Sequence, residues 1–119
     1  MERWRNFLVI LTVLMTVSLA GCGTTTDGPP DSPGNLTATA GASMVTLDWD
    51  AVTDATSYNV YRSISTGALS TKVLLASALT ATAYSDTNVT SGTTYFYQVT
   101  AENSNGESGG SAEVSATPQ

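Results

Sequence analysis

The chain has 119 residues, which gives room for one domain of ordinary size and no second hydrophobic core. Hydrophobic residues make up 41% and charged residues 12% of it, a balance typical of a globular chain rather than a disordered one. The formal net charge of −6 argues against a nucleic-acid partner, and the absence of histidine excludes a Ser-His-Asp or Cys-His catalytic site.

Residues 1–21 have the layout of a secretory signal peptide. Arg3 and Arg5 precede an uncharged apolar run over residues 7–19, and the small residues Ala20 and Gly21 follow it. A transmembrane helix is the weaker interpretation, because crossing the hydrocarbon core takes about 20 apolar residues and this run is shorter. We therefore predict export of the chain.

The cleavage region, Leu19-Ala20-Gly21-Cys22, resembles the lipobox of bacterial lipoprotein precursors at all four positions. The resemblance implies cleavage between Gly21 and Cys22, a diacylglyceryl group on the Cys22 thiol, and an acyl chain such as palmitate on the new amine. Two or more acyl chains hold a protein stably at a membrane, since each buried methylene contributes about 0.8 kcal/mol. The alternatives are a free thiol at Cys22 or an ordinary signal peptide without lipid.

The residue after the cysteine bears on the destination of such a lipoprotein. Gly23 stands where bacterial sorting rules often read aspartate as retention in the inner membrane. By this resemblance we expect the outer membrane in a host with two membranes, and otherwise the outer face of the plasma membrane.

A proline- and glycine-rich segment follows the cysteine. Residues 23–34 read GTTTDGPPDSPG and hold three of the four prolines, with almost no large apolar side chain. Such a segment cannot bury enough surface to order itself. We predict a flexible linker over residues 22–33 and a folded domain over residues 34–119.

The rest of the chain contains short runs with alternating apolar and polar residues, separated by clusters of Gly, Asn, Asp and Ser. Because no helical periodicity occurs after the signal, these runs predict an all-β fold, a seven-stranded two-sheet Greek-key sandwich. Its core is expected to contain the aromatic residues Trp49, Tyr58, Tyr95 and Tyr97. The predicted strands are Leu36–Ala40, Met44–Asp50, Ser57–Ser63, Lys72–Ser77, Ala83–Asp86, Thr94–Glu102 and Ser111–Thr117.

The succession of residues from Pro33 to Pro118 resembles a fibronectin type III domain, which has an immunoglobulin-like architecture. The resemblance implies a tyrosine corner, in which the Tyr95 hydroxyl bonds to backbone near Val89. An immunoglobulin domain would instead carry a cysteine pair between its sheets. The motifs are Pro33-x-x-Leu36, Leu47-x-Trp49, Tyr58-x-Val60-Tyr61-Arg62, Val89-x-x-Gly92-Thr93-x-Tyr95-x-Tyr97-x-Val99-x-Ala101-x-Asn103-x-x-Gly106-x-Ser108 and Ala116-Thr117-Pro118.

The sequence offers few candidates for chemistry, and we predict no catalytic residue, no cofactor and no metal site. Asp48, Asp50 and Asp54 form the one acidic cluster, which could hold calcium weakly; their spacing matches no known calcium loop, so a solvated strand face is the preferred interpretation. An enzyme is the least favoured of the function classes, because no motif surrounds a nucleophile.

The candidate surface patch is aromatic. Tyr61 and Phe96 both point to the outer side of strands that neighbour each other in this family. Exposed aromatic residues can bind a protein or stack on a sugar ring, whereas the alternative is a cross-strand pair that stabilises its own sheet by about 0.2–1 kcal/mol.

The preferred function is therefore a membrane-anchored envelope lipoprotein whose non-catalytic module serves protein interaction, adhesion or spacing. The alternative is a carbohydrate-associated module of an extracellular polysaccharide-processing system. The expected partners are the membrane, through the N-terminal lipid, and an envelope protein or a glycan.

Overall fold

The computed structural model describes residues 28–119, so the predictions for Gly21, Cys22 and the rest of residues 1–27 lie outside it. A single 3₁₀ turn at Leu69–Thr71 accompanies the strands in this part of the chain. The strands are β1 (Thr37–Gly41), β2 (Met44–Asp48), β3 (Ser57–Ser63), β4 (Val73–Leu79), β5 (Ala83–Asp86), β6 (Tyr95–Asn103), β7 (Gly106–Glu107) and β8 (Val114–Ala116).

The strands form two antiparallel sheets. One has the order β1-β2-β5; the other has the order β4-β3-β6, with both β7 and β8 paired to the far side of β6. The β3–β6 ladder runs without interruption from the Ser57–Glu102 pair to the Ser63–Phe96 pair. This arrangement confirms the predicted all-β two-sheet sandwich and leaves β4 as a free edge of the larger sheet.

The core lies between the two sheets and follows from the alternation of side chains along the strands. Val45 and Leu47 of β2 are fully buried, as are Val60 of β3 and Val99 of β6. The predicted core aromatics are confirmed, since all four are buried: Trp49, Tyr58, Tyr95 and Tyr97.

The second strand is shorter than predicted, because it ends at Asp48 instead of Asp50. Beyond it the Trp49 backbone N–H donates to the Thr82 carbonyl at 3.0 Å. The Trp49 ring packs edge-on against Tyr58, with centroids 5.6 Å apart and an interplanar angle of 61°. The predicted inward orientation of Trp49 therefore holds although the residue lies outside the strand.

The predicted seventh strand, Ser111–Thr117, corresponds to the shorter β8. A two-residue strand that was not predicted, β7, precedes it, which gives eight strands instead of seven. Between them the chain stays beside β6 through serine side chains. The Ser108 hydroxyl accepts from the Ala101 N–H at 2.9 Å, and the Ser111 hydroxyl accepts from the Val99 N–H at 3.0 Å. Two hydroxyls thus replace carbonyls as acceptors for β6, which satisfies its buried donors without a regular strand.

The tyrosine corner is present. The Thr90 backbone N–H donates to the Tyr95 hydroxyl at 2.8 Å, one residue after the predicted position at Val89. This bond joins the segment before β6 to the start of that strand. It also lowers the pKa of the Tyr95 phenol, because the donated hydrogen bond favours the phenolate.

The two ends of the described chain lie at opposite ends of the sandwich. Pro30 and Pro33 are buried, and the Gly28 carbonyl accepts from Asn103 Nδ2 at 3.4 Å beside the β6–β7 hairpin. Contacts with the domain thus begin ahead of the predicted boundary at residue 34. At the other end, the Gln119 carbonyl accepts from the Ser43 N–H at 2.8 Å in the β1–β2 turn.

Candidate functional site

The two residues of the predicted surface patch lie on the outer face of the five-stranded sheet. Tyr61 of β3 is opposite Gln98, and Phe96 of β6 is opposite Ser63, so the two aromatic residues are diagonal neighbours. Both are half-buried rather than fully exposed. The structure therefore brings them to one face, as predicted, but leaves only part of each ring accessible.

The Tyr61 hydroxyl is engaged by a carboxylate. It donates a hydrogen bond to Glu107 Oε2, from β7 on the far side of β6. Burial raises the pKa of Tyr61 to about 12, with a further contribution from the hydrogen bond to Glu107. At neutral pH the phenol is therefore protonated and held by this hydrogen bond, and part of the half-buried ring remains for contact.

A polar cluster, Asn59, Thr100, Glu102 and Glu107, adjoins Tyr61 on the same face. Asn59 Nδ2 lies 3.0 Å from Glu102 Oε1, 3.1 Å from Glu107 Oε2 and 3.2 Å from Thr100 Oγ1. Its two hydrogens are therefore shared among three acceptors. The Thr100 hydroxyl also donates to Glu107 Oε2 at 2.6 Å.

This cluster holds two carboxylates in place without a basic residue. Asn59 has only 4% of its surface exposed, although it lies on the outer face of the sheet. Burial raises the pKa of the Glu107 carboxyl, but the hydrogen bonds from Thr100, Tyr61 and Asn59 outweigh it, so the pKa lies below its ordinary value. This cluster was not predicted from the sequence. The signal in the sequence was a polar asparagine in the middle of a predicted strand, and only the register of β3 with β6 places it opposite Thr100.

An open groove of about 700 Å³ extends from the polar cluster to the β6–β7 hairpin. Its floor includes Asn59 and Glu102, and one wall is Ser77 and Ala78 of β4. The remaining lining consists of residues from the β2–β3 loop, the start of β3 and the hairpin: Asp54, Thr56, Ser57, Asn103, Ser104 and Asn105. We call this the polar groove.

A buried ion pair connects the two sheets. Arg62 of β3 donates to Asp86 Oδ2 of β5 at 2.8 Å, and Asp86 is only 1% exposed. The Tyr97 hydroxyl donates to the same oxygen at 2.8 Å, and the Asn88 N–H donates to Asp86 Oδ1 at 3.1 Å. Because every contact here is made within the domain, we interpret this network as structural.

The second basic side chain is also enclosed. The Lys72 ammonium donates to Glu113 Oε2 at 2.6 Å and to the Gly67 carbonyl at 2.7 Å, and its side chain is fully buried. These contacts with Lys72, and a hydrogen bond from Thr66, lower the pKa of Glu113. Neither basic residue of the described chain is therefore available to recognise an anion.

Exposed apolar side chains cluster in one place. Ile64 and Val73 are each 73% exposed and Leu74 is 50% exposed, and these are the large exposed hydrophobic residues of the part that the structure describes. They lie around a shallow groove of about 390 Å³ at the free edge of β4.

The acidic residues singled out in the sequence are solvent-exposed. Asp48, Asp50 and Asp54 all lie on the surface, and Asp50 accepts from Asn35 Nδ2 at 2.7 Å. Within residues 28–119 no group of three or more acidic or cysteine side chains is placed to hold a metal ion. No helix in this same range is long and apolar enough to span a membrane.

Sequence comparison relates the chain to modules inside larger enzymes. It is 46% identical over 85 residues to an amylopullulanase of Thermoanaerobacter thermohydrosulfuricus, covering 71% of this chain and 6% of that protein. It is 46% identical over 99 residues to a poly(3-hydroxybutyrate) depolymerase of Ralstonia pickettii, covering 82% of this chain and 18% of that one. The chain thus spans a small part of each relative, and the similarity concerns a module without the rest of either enzyme.

Solved structures show the same fold. A Fn3-like protein from Clostridium thermocellum superposes with a TM-score of 0.67 at 35% identity, covering 76% of this chain and 95% of that one. A β-1,2-glucanase from Parabacteroides distasonis has a TM-score of 0.63 at 28% identity, covering 75% of this chain and 13% of the glucanase chain.

The family model described as "Fibronectin type III domain" matches residues 31–117. This range contains both sheets, the tyrosine corner and the buried ion pair. The fibronectin type III domain is a non-catalytic module, although the relatives of this chain are parts of enzymes. The chain belongs to the fibronectin type III family.

Proposed function

We propose that the chain is an envelope lipoprotein, anchored by acyl chains on Cys22, that displays one non-catalytic fibronectin type III module for protein interaction, adhesion or spacing. The observation that carries the proposal is the position of the lipobox-like Leu19–Cys22, directly after an apolar signal-like run and six residues before Gly28. Six residues reach at most about 20 Å. The lipid would therefore hold the domain close to the membrane.

The direction of attachment follows from the two ends of the domain. The chain reaches the sandwich beside the β6–β7 hairpin, whereas the β1–β2 turn and Gln119 lie at the opposite end. A lipid at Cys22 would place the hairpin end toward the bilayer and the β1–β2 turn away from it. With Gly23 after the cysteine, the expected membrane is the outer one in a host with two membranes.

The anchor is tested by intact mass and detergent partitioning of the wild type and Cys22→Ala, both expressed in a bacterial host. Thr24→Ala is the matched control, because it alters the same segment and keeps the cysteine. We expect the wild type and Thr24→Ala to enter the detergent phase with acyl mass on a chain that starts at Cys22. We expect Cys22→Ala to stay unprocessed. If all three proteins are cut and soluble, the lipoprotein proposal is wrong.

The second candidate function is a carbohydrate-associated module. Two observations favour it: the similarity to modules within an amylopullulanase and a β-1,2-glucanase, and the placement of Tyr61 and Phe96 on one sheet face. A partly exposed aromatic ring can stack on a sugar. Retention on immobilised glucan that falls in Tyr61→Ala or Phe96→Ala would support this function, and equal elution of all variants with an inert protein would refute it.

A further inference from the structure

The polar groove has the size of a ligand site. Its volume of about 700 Å³ falls within the roughly 300–1,000 Å³ typical of small-molecule sites. It is distinct from the Tyr61 and Phe96 patch, since neither aromatic residue lines it. Binding to the aromatic patch therefore does not account for the groove.

Beside the groove, β4 departs from regular pairing with β3. The register shifts between the Tyr58 and Val60 pairs, which marks a bulge, and Ala78 has a positive φ of 57°. Across the groove, Asp54 has a positive φ of 70°. Non-glycine residues in this conformation are costly, and bulges and strained backbone occur preferentially next to binding sites.

The floor of the groove is pre-organised. The side-chain oxygen Asn59 Oδ1 accepts from the Ala78 N–H at 3.3 Å, while Asn59 Nδ2 contacts the acceptors of the polar cluster. One buried side chain thus fixes both the strained wall and the Glu102 carboxylate. Because these groups are already ordered, a ligand would not have to bear the entropy of ordering them.

The lining defines the chemistry of the ligand. Hydroxyl and amide side chains dominate it, so donors and acceptors alternate over short distances. Two carboxylates and no basic residue line it, which disfavours anionic ligands. Ala78 is the one apolar residue of the lining, so the groove offers no anchor for the apolar side chains of a peptide.

We propose that the polar groove binds a neutral, hydroxyl-rich oligosaccharide, an inference that rests on the carbohydrate-associated candidate function and assigns it a site. Hydroxyls of a sugar can both donate to the carboxylates and accept from the serine hydroxyls of the lining. The site lies at the end of the domain where the chain enters it, between β4 and the β6–β7 hairpin.

The test is isothermal titration calorimetry of the full-length chain, purified in detergent, with neutral and anionic oligosaccharides. The neutral probes are maltohexaose and a β-1,2-linked glucohexaose, and the anionic probe is hexagalacturonate. Ser77→Trp fills the groove from the exposed edge strand β4. Ser85→Trp is the matched control, because Ser85 is likewise an exposed serine on an edge strand, β5 of the other sheet.

We expect at least one neutral probe to bind and hexagalacturonate to bind at least tenfold more weakly. We expect Ser77→Trp to weaken binding at least tenfold, while Ser85→Trp and Phe96→Ala do not. Loss of binding in Phe96→Ala, with Ser77→Trp unaffected, would overturn the groove assignment and keep the glycan function on the aromatic face. Preferred binding of hexagalacturonate would overturn the charge argument and the groove assignment with it. No heat with either neutral probe at millimolar concentration would refute the groove assignment and count against the candidate function as well.

Discussion

The Asp86 carboxylate is the shared acceptor of the hydrogen-bond network that joins the two sheets. It receives hydrogen bonds from Arg62, Tyr97 and the Asn88 backbone in an almost fully buried position. Burial, followed by the hydrogen bond to Asp86, raises the pKa of the Tyr97 phenol, which therefore stays protonated as a donor. Removing the carboxylate would leave the Arg62 guanidinium without its counter-ion, with only the Asn88 carbonyl as acceptor, and the Tyr97 phenol without its acceptor.

We expect Asp86→Ala to lower the free energy of unfolding by about 3–5 kcal/mol, the usual cost of breaking a buried pair on one side. Asp48→Ala, at an exposed carboxylate, should change it by less than about 0.5 kcal/mol. Urea unfolding followed by tryptophan fluorescence measures both. Equal stabilities of the two variants would contradict the structural importance of this ion pair.

The left-handed conformation of Ala78 leads to a stabilising substitution. An L-residue in this region costs about 1–2 kcal/mol, and glycine adopts it freely. After the added entropy of glycine in the unfolded chain is subtracted, we expect Ala78→Gly to stabilise the domain by about 0.5–1 kcal/mol. Ala76→Gly in the same strand should destabilise it instead. Thermal unfolding of the two variants tests the sign, and a loss of stability in Ala78→Gly would contradict the assigned backbone conformation.

Tyr61 makes the stability of the domain depend on alkaline pH. Its pKa is raised from 10.0 to about 12 in the folded state, so the protonated phenol stabilises the folded state fully below pH 10. This contribution is lost as the pH rises from 10 through 12. We expect the stability difference between the wild type and Tyr61→Phe to shrink over that window. Denaturant unfolding of both proteins at pH 8, 10 and 11.5 measures it, and a constant difference would contradict the Tyr61–Glu107 hydrogen bond.

Among the elements, β4 is the edge strand that is most exposed to pairing with other chains. It is a free edge, it carries no charged residue, and its first residues, Val73 and Leu74, expose apolar side chains. Edge strands of this kind lack the usual protection against pairing with other chains, apart from the bulge near Ala78.

We expect Val73→Lys to reduce aggregation at high protein concentration while changing the free energy of unfolding by less than about 0.5 kcal/mol, because Val73 is exposed. Ser85→Lys adds the same charge to an edge strand of the other sheet and serves as the control. Light scattering against concentration compares the two. Equal effects would assign the improvement to net charge instead of the β4 edge.

The strands along which apolar and polar residues alternate regularly, such as β3 and β6, were predicted well from the sequence. In β3 and β6 one face is apolar and buried, so the period of two determines both the strand and its inward side. The segment before the last strand was predicted less well, because β7 has only two residues and the chain between β7 and β8 contacts β6 partly through the hydroxyls of Ser108 and Ser111. The polar groove could not be predicted either, because the bulge of β4 beside it has no recognisable local sequence pattern.

At the scale of the whole molecule, the family and the core could be predicted from the sequence, whereas the polar cluster could not. The family and the core follow from aromatic and aliphatic residues at fixed intervals, which encode burial. The polar cluster joins residues from β3, β6 and β7, and only the pairing of these strands brings Asn59 and Glu107 together. Functional chemistry assembled across strands is therefore less visible in a sequence than a core.

The pairing of both basic side chains with carboxylates of the domain has a consequence for proteolysis. Trypsin cuts after lysine and arginine, and residues 6–119 contain only Arg62 and Lys72. Arg62 is paired with Asp86 and the Lys72 side chain is fully buried, so neither fits a protease cleft in the native domain. Cleavage should then require unfolding, and its rate should follow the unfolded fraction.

Trypsin should leave the wild type intact under conditions in which Asp86→Ala is cut after Arg62 and Lys72, with a tenfold faster rate for each 1.4 kcal/mol of lost stability. Mass spectrometry of timed digests identifies the cut positions. Fast cleavage of a natively folded wild type at Arg62 would show that this segment opens locally. Because residues 22–33 also lack lysine and arginine, trypsin has no site there at which to release the folded domain, so digestion measures its folding whether or not the chain is anchored.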